Sequence, residues 1–188
     1  MKTITIIIII TIIIFTPAFA FDDNIGFSKI TPASPFYFLK GVREILEYKL
    51  AQTTRVKMIR QLEFATRRLR EAKSLIGVQE DLIPPTLERY IGQLNRLTDK
   101  HQANDEFAPA LKNNLVIHLE VLRNIYNQTS NSRTKMVVRS ALNRVIQRAD
   151  IPKSAKLPVC NLFTKEASSS ALNETERFVL LERAKSCF

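Results

Sequence analysis

After residue 30 the apolar residues of the chain recur at intervals of three and four, with polar runs between them. This spacing is typical of one face of an α-helix, and the alternation of apolar and polar residues that marks strands is missing. The pattern is clearest between about Arg55 and Ile76, where the apolar positions are Met58, Leu62, Ala65, Leu69, Ala72 and Ile76. Such a seam in one short helix favours bundle packing. We therefore predict an all-α fold, a helical bundle of five to six helices.

Capping and helix-breaking residues give the approximate bounds of five helices: Pro35–Ala51, Arg55–Ile76, Pro84–Lys100, Glu106–Gln128 and Arg133–Ala149. Ser34 is expected to cap the first helix, and Gly77 to end the second. In the first helix, apolar surface is offered by Phe36, Phe38, Leu39, Val42, Ile45, Leu46 and Leu50. The inward residues predicted for the later three helices are Leu87, Ile91, Leu94, Leu97, Leu111, Leu115, Leu119, Leu122, Tyr126, Val138, Leu142, Val145 and Ala149.

The composition changes after residue 149. Residues 150–158, DIPKSAKLP, contain two prolines and two lysines and are predicted to form a linker. A short element around 159–167 and a last helix from Asn173 follow. Glu176 lies three residues after Asn173, which is typical of a capping box, and Phe178, Leu181 and Ala184 are predicted to face inward. The predicted organisation is a signal peptide (1–20), a lead-in (21–33), a helical bundle domain (34–149) and a linker with a disulfide-closed C-terminal helical segment (150–188).

The first residues have the composition of an export signal. Lys2 precedes an apolar run from Ile4 to Phe15, and Ala18-Phe19-Ala20 has the small-x-small pattern of a cleavage site. We expect cleavage after Ala20 and a secreted or cell-envelope protein. The alternative is an uncleaved N-terminal anchor, although a run of 12 residues is shorter than the ~20 that a spanning helix needs.

The two cysteines, Cys160 and Cys187, lie near the C-terminus. An even number of cysteines in an exported chain favours a disulfide. Closing a loop of this length stabilises the fold by ~3.5 kcal/mol in the chain-entropy description. We predict a Cys160–Cys187 bridge that holds the last helix against the element before it; the alternative is two unrelated thiols.

The chain has a net charge of +10, which suits an anionic partner such as lipid or a wall polymer. Basic residues cluster in the second and fifth predicted helices. The candidates for contact with an anionic partner are Arg133, Lys135, Arg139, Arg144, Arg148, Arg60, Arg67 and Arg70. The alternative is a solvated basic face without a partner. Nucleic acid is not the expected partner, because no recognition motif accompanies the charge.

Catalytic and metal-binding patterns are missing from the sequence. The histidines His101 and His118 have no metal-ligand spacing with the cysteines, and no nucleophile elbow or Gly-rich phosphate loop occurs. His118 lies among apolar residues and is expected to line the bundle wall. We therefore expect no catalytic, cofactor-binding or metal-binding residues, no cofactor and no enzymatic activity.

One segment, residues 31–72, resembles an uncharacterised family, a domain of unknown function found in exported or membrane-tethered bacterial proteins. The matching residues are Ser34, Pro35, Tyr37, Leu39, Lys40, Glu44, Leu62, Glu63, Ala65, Arg68, Leu69, Glu71 and Ala72. Family members usually have Asp-Pro at the turn where this chain has Thr53-Thr54. The resemblance implies a helical extracytoplasmic domain and no reaction. It also implies that residues 34–40 seat the first helix against the second.

The function expected from these observations is a non-enzymatic helical module of the cell envelope that presents a helix face to a protein partner. The alternative is a peripheral binder of anionic lipid or wall polymer that uses the basic helix face. A holdase-type periplasmic chaperone is a third interpretation. A homodimer is compatible with the apolar seams, and the identity of the partner is not encoded in any motif.

Overall fold

The structure is a computed structural model that describes residues 25–98, 107–148, 151–169 and 172–185. These residues form seven α-helices and one short 3₁₀ turn (Glu80–Leu82), and they contain no strand. The helices are α1 (Tyr37–Lys49), α2 (Thr54–Ser74), α3 (Ile83–Thr98), α4 (Ala108–Gln128), α5 (Ser132–Ile146), α6 (Lys153–Ala167) and α7 (Glu174–Lys185). The all-α prediction is confirmed. In the described part of the chain, no helix combines the length and hydropathy of a membrane span.

Helices α2 to α5 form the centre of the bundle. α2 packs along α3 and also contacts α4, and α5 packs on both α3 and α4. The apolar seam predicted for α2 is the core face, because Leu62, Ala65, Leu69 and Ala72 have no exposed surface. The inward leucines predicted for α3 and α4 are also buried. Ala149 lies outside the described residues.

The ends of these helices follow local chemistry. Thr53 caps α2 by accepting a hydrogen bond at 3.2 Å from the backbone N–H of Val56. α2 ends at Ser74, before the predicted Ile76, and Gly77 lies in the turn that follows, with a φ of +70° that side chains disfavour. The start of α1 was predicted two residues too early. Ser34 accepts from the N–H of Phe36 at 3.3 Å, and the helix begins only at Tyr37.

The prediction of a linker at 150–158 is wrong for most of that segment, which accounts for one helix more than expected. α6 begins at Lys153 and contains Pro158. Because Pro158 is the sixth residue of the helix, its missing N–H removes only the hydrogen bond to the carbonyl of residue 154. Pro152 lies just outside, at the N-cap, where it does not oppose the helix.

Helix α7 packs mainly on α6, and the predicted inward stripe is confirmed only for Ala184. Leu180 and Ala184 are buried, whereas Phe178 and Leu181 are exposed. The predicted capping box is present: Asn173 Oδ1 accepts from the N–H of Glu176 at 2.8 Å, and Glu176 accepts in return from the N–H of Asn173 at 3.2 Å. Cys160 is buried on α6, and Cys187 lies outside the described residues. The Cys160–Cys187 bridge therefore stays a prediction, as does cleavage after Ala20.

Candidate functional site

Helix α1 lies on the bundle with its polar side turned inward. Tyr37, Lys40, Glu44 and Glu47 project toward α2, and Glu44 is buried there. Its apolar residues point away from the bundle and are 50–65% exposed. We call them the α1 apolar face: Phe36, Phe38, Leu39, Val42, Ile45, Leu46 and Leu50. The expectation that residues 34–40 seat α1 on α2 holds for Tyr37 and Lys40, but Phe36 and Phe38 take no part in it.

The contact between α1 and α2 is built around Arg68 and Glu71. Glu71 has no exposed surface and Arg68 is 6% exposed. One guanidinium nitrogen of Arg68 donates to both oxygens of Glu71, at 2.7 and 2.8 Å. The other donates to Glu44 of α1. Arg68 therefore joins one carboxylate of its own helix to one carboxylate of α1.

Two further α1 residues close the network. Lys40 Nζ lies 2.5 Å from Glu71 Oε1. The Tyr37 hydroxyl donates to Glu71 Oε2 at 2.9 Å and accepts from Arg68 at 2.8 Å. Burial and the nearby Glu71 carboxylate raise the pKa of Tyr37 to about 12, so the hydroxyl keeps the proton that it donates. We call Tyr37, Lys40, Glu44, Arg68 and Glu71 the buried polar network.

By formal charge the network contains two cations, Lys40 and Arg68, and two carboxylates, Glu44 and Glu71. Burial raises the pKa of the Glu44 carboxyl, and the neighbouring Arg68 and Arg67 guanidinium groups oppose this shift. Burial lowers the pKa of Arg68, but the carboxylates of Glu71 and Glu44 outweigh this effect and raise it, so Arg68 remains charged. The network is electrically neutral, which limits the penalty of removing its charges from water. All five residues of the network lie in the segment 31–72 on which the sequence resemblance rests.

Beside the α1 apolar face is a groove of about 860 Å³ between α1, α2 and the segment before α1. Its apolar wall includes Phe27, Leu39, Val42, Leu46 and Val56. Arginines also line it: Arg43, Arg60, Arg67 and Arg70. The groove extends the exposed apolar surface from α1 to Phe27, which is 71% exposed.

The segment 25–30 is fixed on α2, so it forms a stable edge of this groove. Arg70 donates to the carbonyl of Ile25, and the backbone N–H of Ser28 donates to Ser74 Oγ at 2.7 Å. Lys73 lies 4.5 Å from the centre of the Phe27 ring. The chain that comes from residues 1–24 therefore enters the described structure next to the α1 apolar face.

The predicted basic candidates separate into two groups. Arg60, Arg67 and Arg70 border the groove; Arg60 pairs with Glu63 at 2.8 Å and Arg67 with Glu47 at 2.9 Å. The other five lie on α5 or just after it. Of these, Arg133 is exposed, Lys135 lies 5.2 Å from the Tyr126 ring centre and Arg139 lies 3.7 Å from Glu166; Arg144 and Arg148 are partly buried.

His118 is a satisfied core residue. Thr66 Oγ1 donates to the carbonyl of Leu62 at 3.0 Å and lies 2.9 Å from His118 Nε2. Because Thr66 has one proton to give, Nε2 is the donor in that contact and Nδ1 accepts from Tyr90 at 3.2 Å. Burial lowers the pKa of His118 to about 3. The sequence indicated the apolar setting of His118, but its partners Thr66 and Tyr90 lie on other helices and were not predicted.

The described residues contain no group of three or more His, Cys, Asp or Glu that could hold a metal ion. His101 lies outside the described residues. The arrangement that distinguishes this molecule is instead a neutral polar network beneath a helix whose apolar side faces solvent. Large exposed apolar patches rimmed by polar residues mark interaction sites.

Comparison with known proteins gives one family. A family model described as a domain of unknown function (DUF5667) matches residues 29–132, more than half of the chain. No curated protein and no solved structure matches the chain. The matched range includes α1, α2 and therefore the whole of the buried polar network. The resemblance to an uncharacterised domain family is confirmed.

Proposed function

We propose that this chain, which belongs to the domain-of-unknown-function family DUF5667, is a non-enzymatic binding module whose binding surface is the α1 apolar face. The observation that carries the proposal is the orientation of α1. Its polar residues bind α2 through the buried polar network, and seven large apolar residues remain in contact with solvent. A partner that covers this face would remove that apolar surface from water, which is the main favourable term in association.

The size of the surface supports a binding role. Scattered exposed apolar residues are normal in soluble proteins, but here they are contiguous along one helix and continue into the groove as far as Phe27. The network also holds α1 in a defined orientation, because Arg68 and Glu71 make hydrogen bonds to three different α1 side chains. The binding surface is therefore presented on a fixed scaffold.

The basic surface of α5 is the second candidate binding surface, for anionic lipid or wall polymer. Arg133 is exposed at the start of α5, which favours contact with an anionic partner there. Lys135 and Arg139 already have an aromatic ring and a carboxylate as neighbours, so less of the α5 charge is available than the sequence suggested. We rank this candidate below the α1 apolar face. A holdase-type chaperone would also use exposed apolar surface and is the third candidate.

We also propose a location in the cell envelope, with export directed by residues 1–20 and a Cys160–Cys187 disulfide that holds α7 on α6. The apolar run and small-x-small pattern of the N-terminus support export. The close packing of α7 on α6 and the burial of Cys160 support the disulfide. A homodimer through this face is a lower-ranked alternative.

A photo-crosslinking amino acid at Val42 tests the binding surface in the cells that make the protein. Val42 is 50% exposed in the centre of the α1 apolar face. The matched control carries the same group at Met136, which is 54% exposed on α5. We expect an adduct from position 42 and none from position 136, and we expect Leu46→Glu to abolish it. Equal labelling at both positions, or no adduct at 42, would overturn the proposal.

A further inference from the structure

We propose that the partner of the α1 apolar face is an anionic lipid surface, on which α1 lies as an interfacial helix. The inference rests on the proposed function and names the class of its partner. An interfacial helix is recognised by a broad apolar face with Phe and Leu, bordered by basic residues. α1 has this composition, because two Phe and three Leu belong to its apolar face and Arg43 and Lys49 interrupt or border it.

The charge of the chain is concentrated around this face. Residues 25–74 contain 11 Lys and Arg against four Glu, which is +7 of the net +10. Each of the four Glu is already paired with a cation: Glu44 and Glu71 with Arg68, Glu47 with Arg67, and Glu63 with Arg60. The α1–α2 half therefore presents a net positive surface, and anionic lipid headgroups attract each Lys or Arg near the membrane by about 1 kcal/mol.

The same charge argues against a second copy of the chain on this face. Two copies that met through the α1 apolar face would bring two +7 regions together, and like charges at an interface oppose association. An anionic lipid surface complements both properties of the face, because it accepts apolar side chains and neutralises the surrounding cations.

The direction from which the chain arrives also favours a membrane. The apolar run from Ile4 to Phe15 is joined to Ile25 by nine residues. Ile25 is held by Arg70, beside exposed Phe27 at the edge of the groove. If the run stays uncleaved, which is the alternative to cleavage after Ala20, a membrane that it contacts lies within nine residues of Ile25 and so close to the α1 apolar face.

The test is a single tryptophan placed on the face, since the natural chain contains none. Val42→Trp reports on the α1 apolar face, and Met136→Trp on α5 is the matched exposed control. Full-length protein is mixed with vesicles of phosphatidylglycerol and phosphatidylcholine, or of phosphatidylcholine alone. This readout separates contact by α1 from any attachment made by residues 4–15, because it follows the environment of position 42 itself.

With the phosphatidylglycerol vesicles, we expect Val42→Trp emission to shift to the blue and to be quenched by brominated lipid, with a smaller change on phosphatidylcholine alone. Met136→Trp should not change in either. Adding Leu46→Glu should weaken the affinity of the Val42→Trp protein for these vesicles by about tenfold, because the substitution removes one large apolar contact with the lipid. Circular dichroism should show unchanged helicity, since Leu46 is exposed.

An unchanged Val42→Trp spectrum on protein that has bound vesicles would overturn the inference. A blue shift that appears without vesicles and grows with protein concentration would assign the face to a second copy and would also overturn it. If the vesicle test fails but position 42 crosslinks to a protein in cells, the proposed function stands and the lipid inference is wrong. If both experiments are negative, both proposals fail.

Discussion

Replacement of Arg68 by Met tests whether the buried polar network attaches α1 to the bundle. Met removes the guanidinium but keeps a long side chain, so packing volume changes little. Glu71 retains Lys40 at 2.5 Å and the Tyr37 hydroxyl at 2.9 Å. Glu44, which is 8% exposed, loses its closest cation, and Arg67 lies 3.8 Å away. The variant therefore leaves one buried carboxylate poorly compensated.

Breaking a buried ion pair by removing one partner costs about 3–5 kcal/mol. Because Glu71 keeps two partners and Glu44 can reorganise toward Arg67, we expect the lower end, about 3 kcal/mol. The free energy of unfolding is measured by urea titration, followed by circular dichroism. For a chain of this size, a loss of 3 kcal/mol lowers Tm by roughly 6–12 °C.

The matched control is Arg60→Met, about two turns before Arg68 on the same helix. Arg60 pairs with Glu63 at 2.8 Å, but both side chains are about one-fifth exposed, and pairs of this kind contribute about 0–1 kcal/mol. If Arg68→Met and Arg60→Met lower the free energy of unfolding by the same amount, the reasoning is refuted. A loss below about 1 kcal/mol for Arg68→Met would refute it as well.

Three further predictions concern the rest of the bundle. His118 has a pKa of about 3 in the folded protein and 6.5 in the unfolded chain. Between these pH values only the unfolded chain gains a proton, so the free energy of unfolding falls as the pH decreases below 6.5. His118→Gln should reduce this loss of unfolding free energy between pH 8 and pH 5 by about 2 kcal/mol in urea titrations, and an unchanged pH dependence would contradict the buried neutral imidazole. Gly77→Ala should cost about 1 kcal/mol, because Gly77 has a φ of +70°; Gly92→Ala, inside α3 with nothing near its added Cβ, should instead stabilise or leave stability unchanged. If Cys160 and Cys187 are bridged, the unfolded protein should show no free thiol before reduction, and reduction should lower stability by about 3.5 kcal/mol. Two titratable thiols in the protein isolated without reductant would rule the bridge out.

The seam on α2 was predictable because a helix with apolar neighbours on one side must place its apolar residues there. Leu62, Leu69 and Ala72 are buried for that reason. Periodicity shows that a helix has two different sides, but it does not show which side faces the bundle. The pattern of α1 resembles that of a buried helix, yet its apolar face is exposed. The residues that indicate the orientation of α1 are Arg68 and Glu71 on α2, because they pair with the polar side of α1. They can be used in this way only once it is known that α1 and α2 are in contact.

Composition gives a wrong prediction where helix formation depends on the position of a residue within the helix. Pro152 and Pro158 suggested a linker, but one lies at the N-cap of α6 and the other loses a single hydrogen bond. In α7 the apolar pattern predicts the wrong buried side chain. Phe178 is the largest apolar residue of the predicted stripe, and it is nevertheless 65% exposed. α7 contacts mainly one neighbour, so only the narrow stripe of Leu180 and Ala184 is covered.

The orientation of α1 is best understood from both helices of the pair. A half-turn rotation of α1 would bury Val42 and Leu46 against α2, but it would also cover Arg68 and Glu71 with apolar side chains and leave each without its α1 partners. Arg68 and Glu71 would still pair with each other, but their remaining hydrogen-bonding groups would be buried without partners, which costs free energy. The polar residues on α2 therefore enforce the outward direction of the α1 apolar face. A buried ion network in itself adds little net stability compared with apolar packing. Its consequence here is directional: it fixes which side of α1 meets the surroundings of the protein, and that side is apolar and set in a basic region. The proposed interaction through α1 therefore depends on the way in which the α1–α2 contact is built.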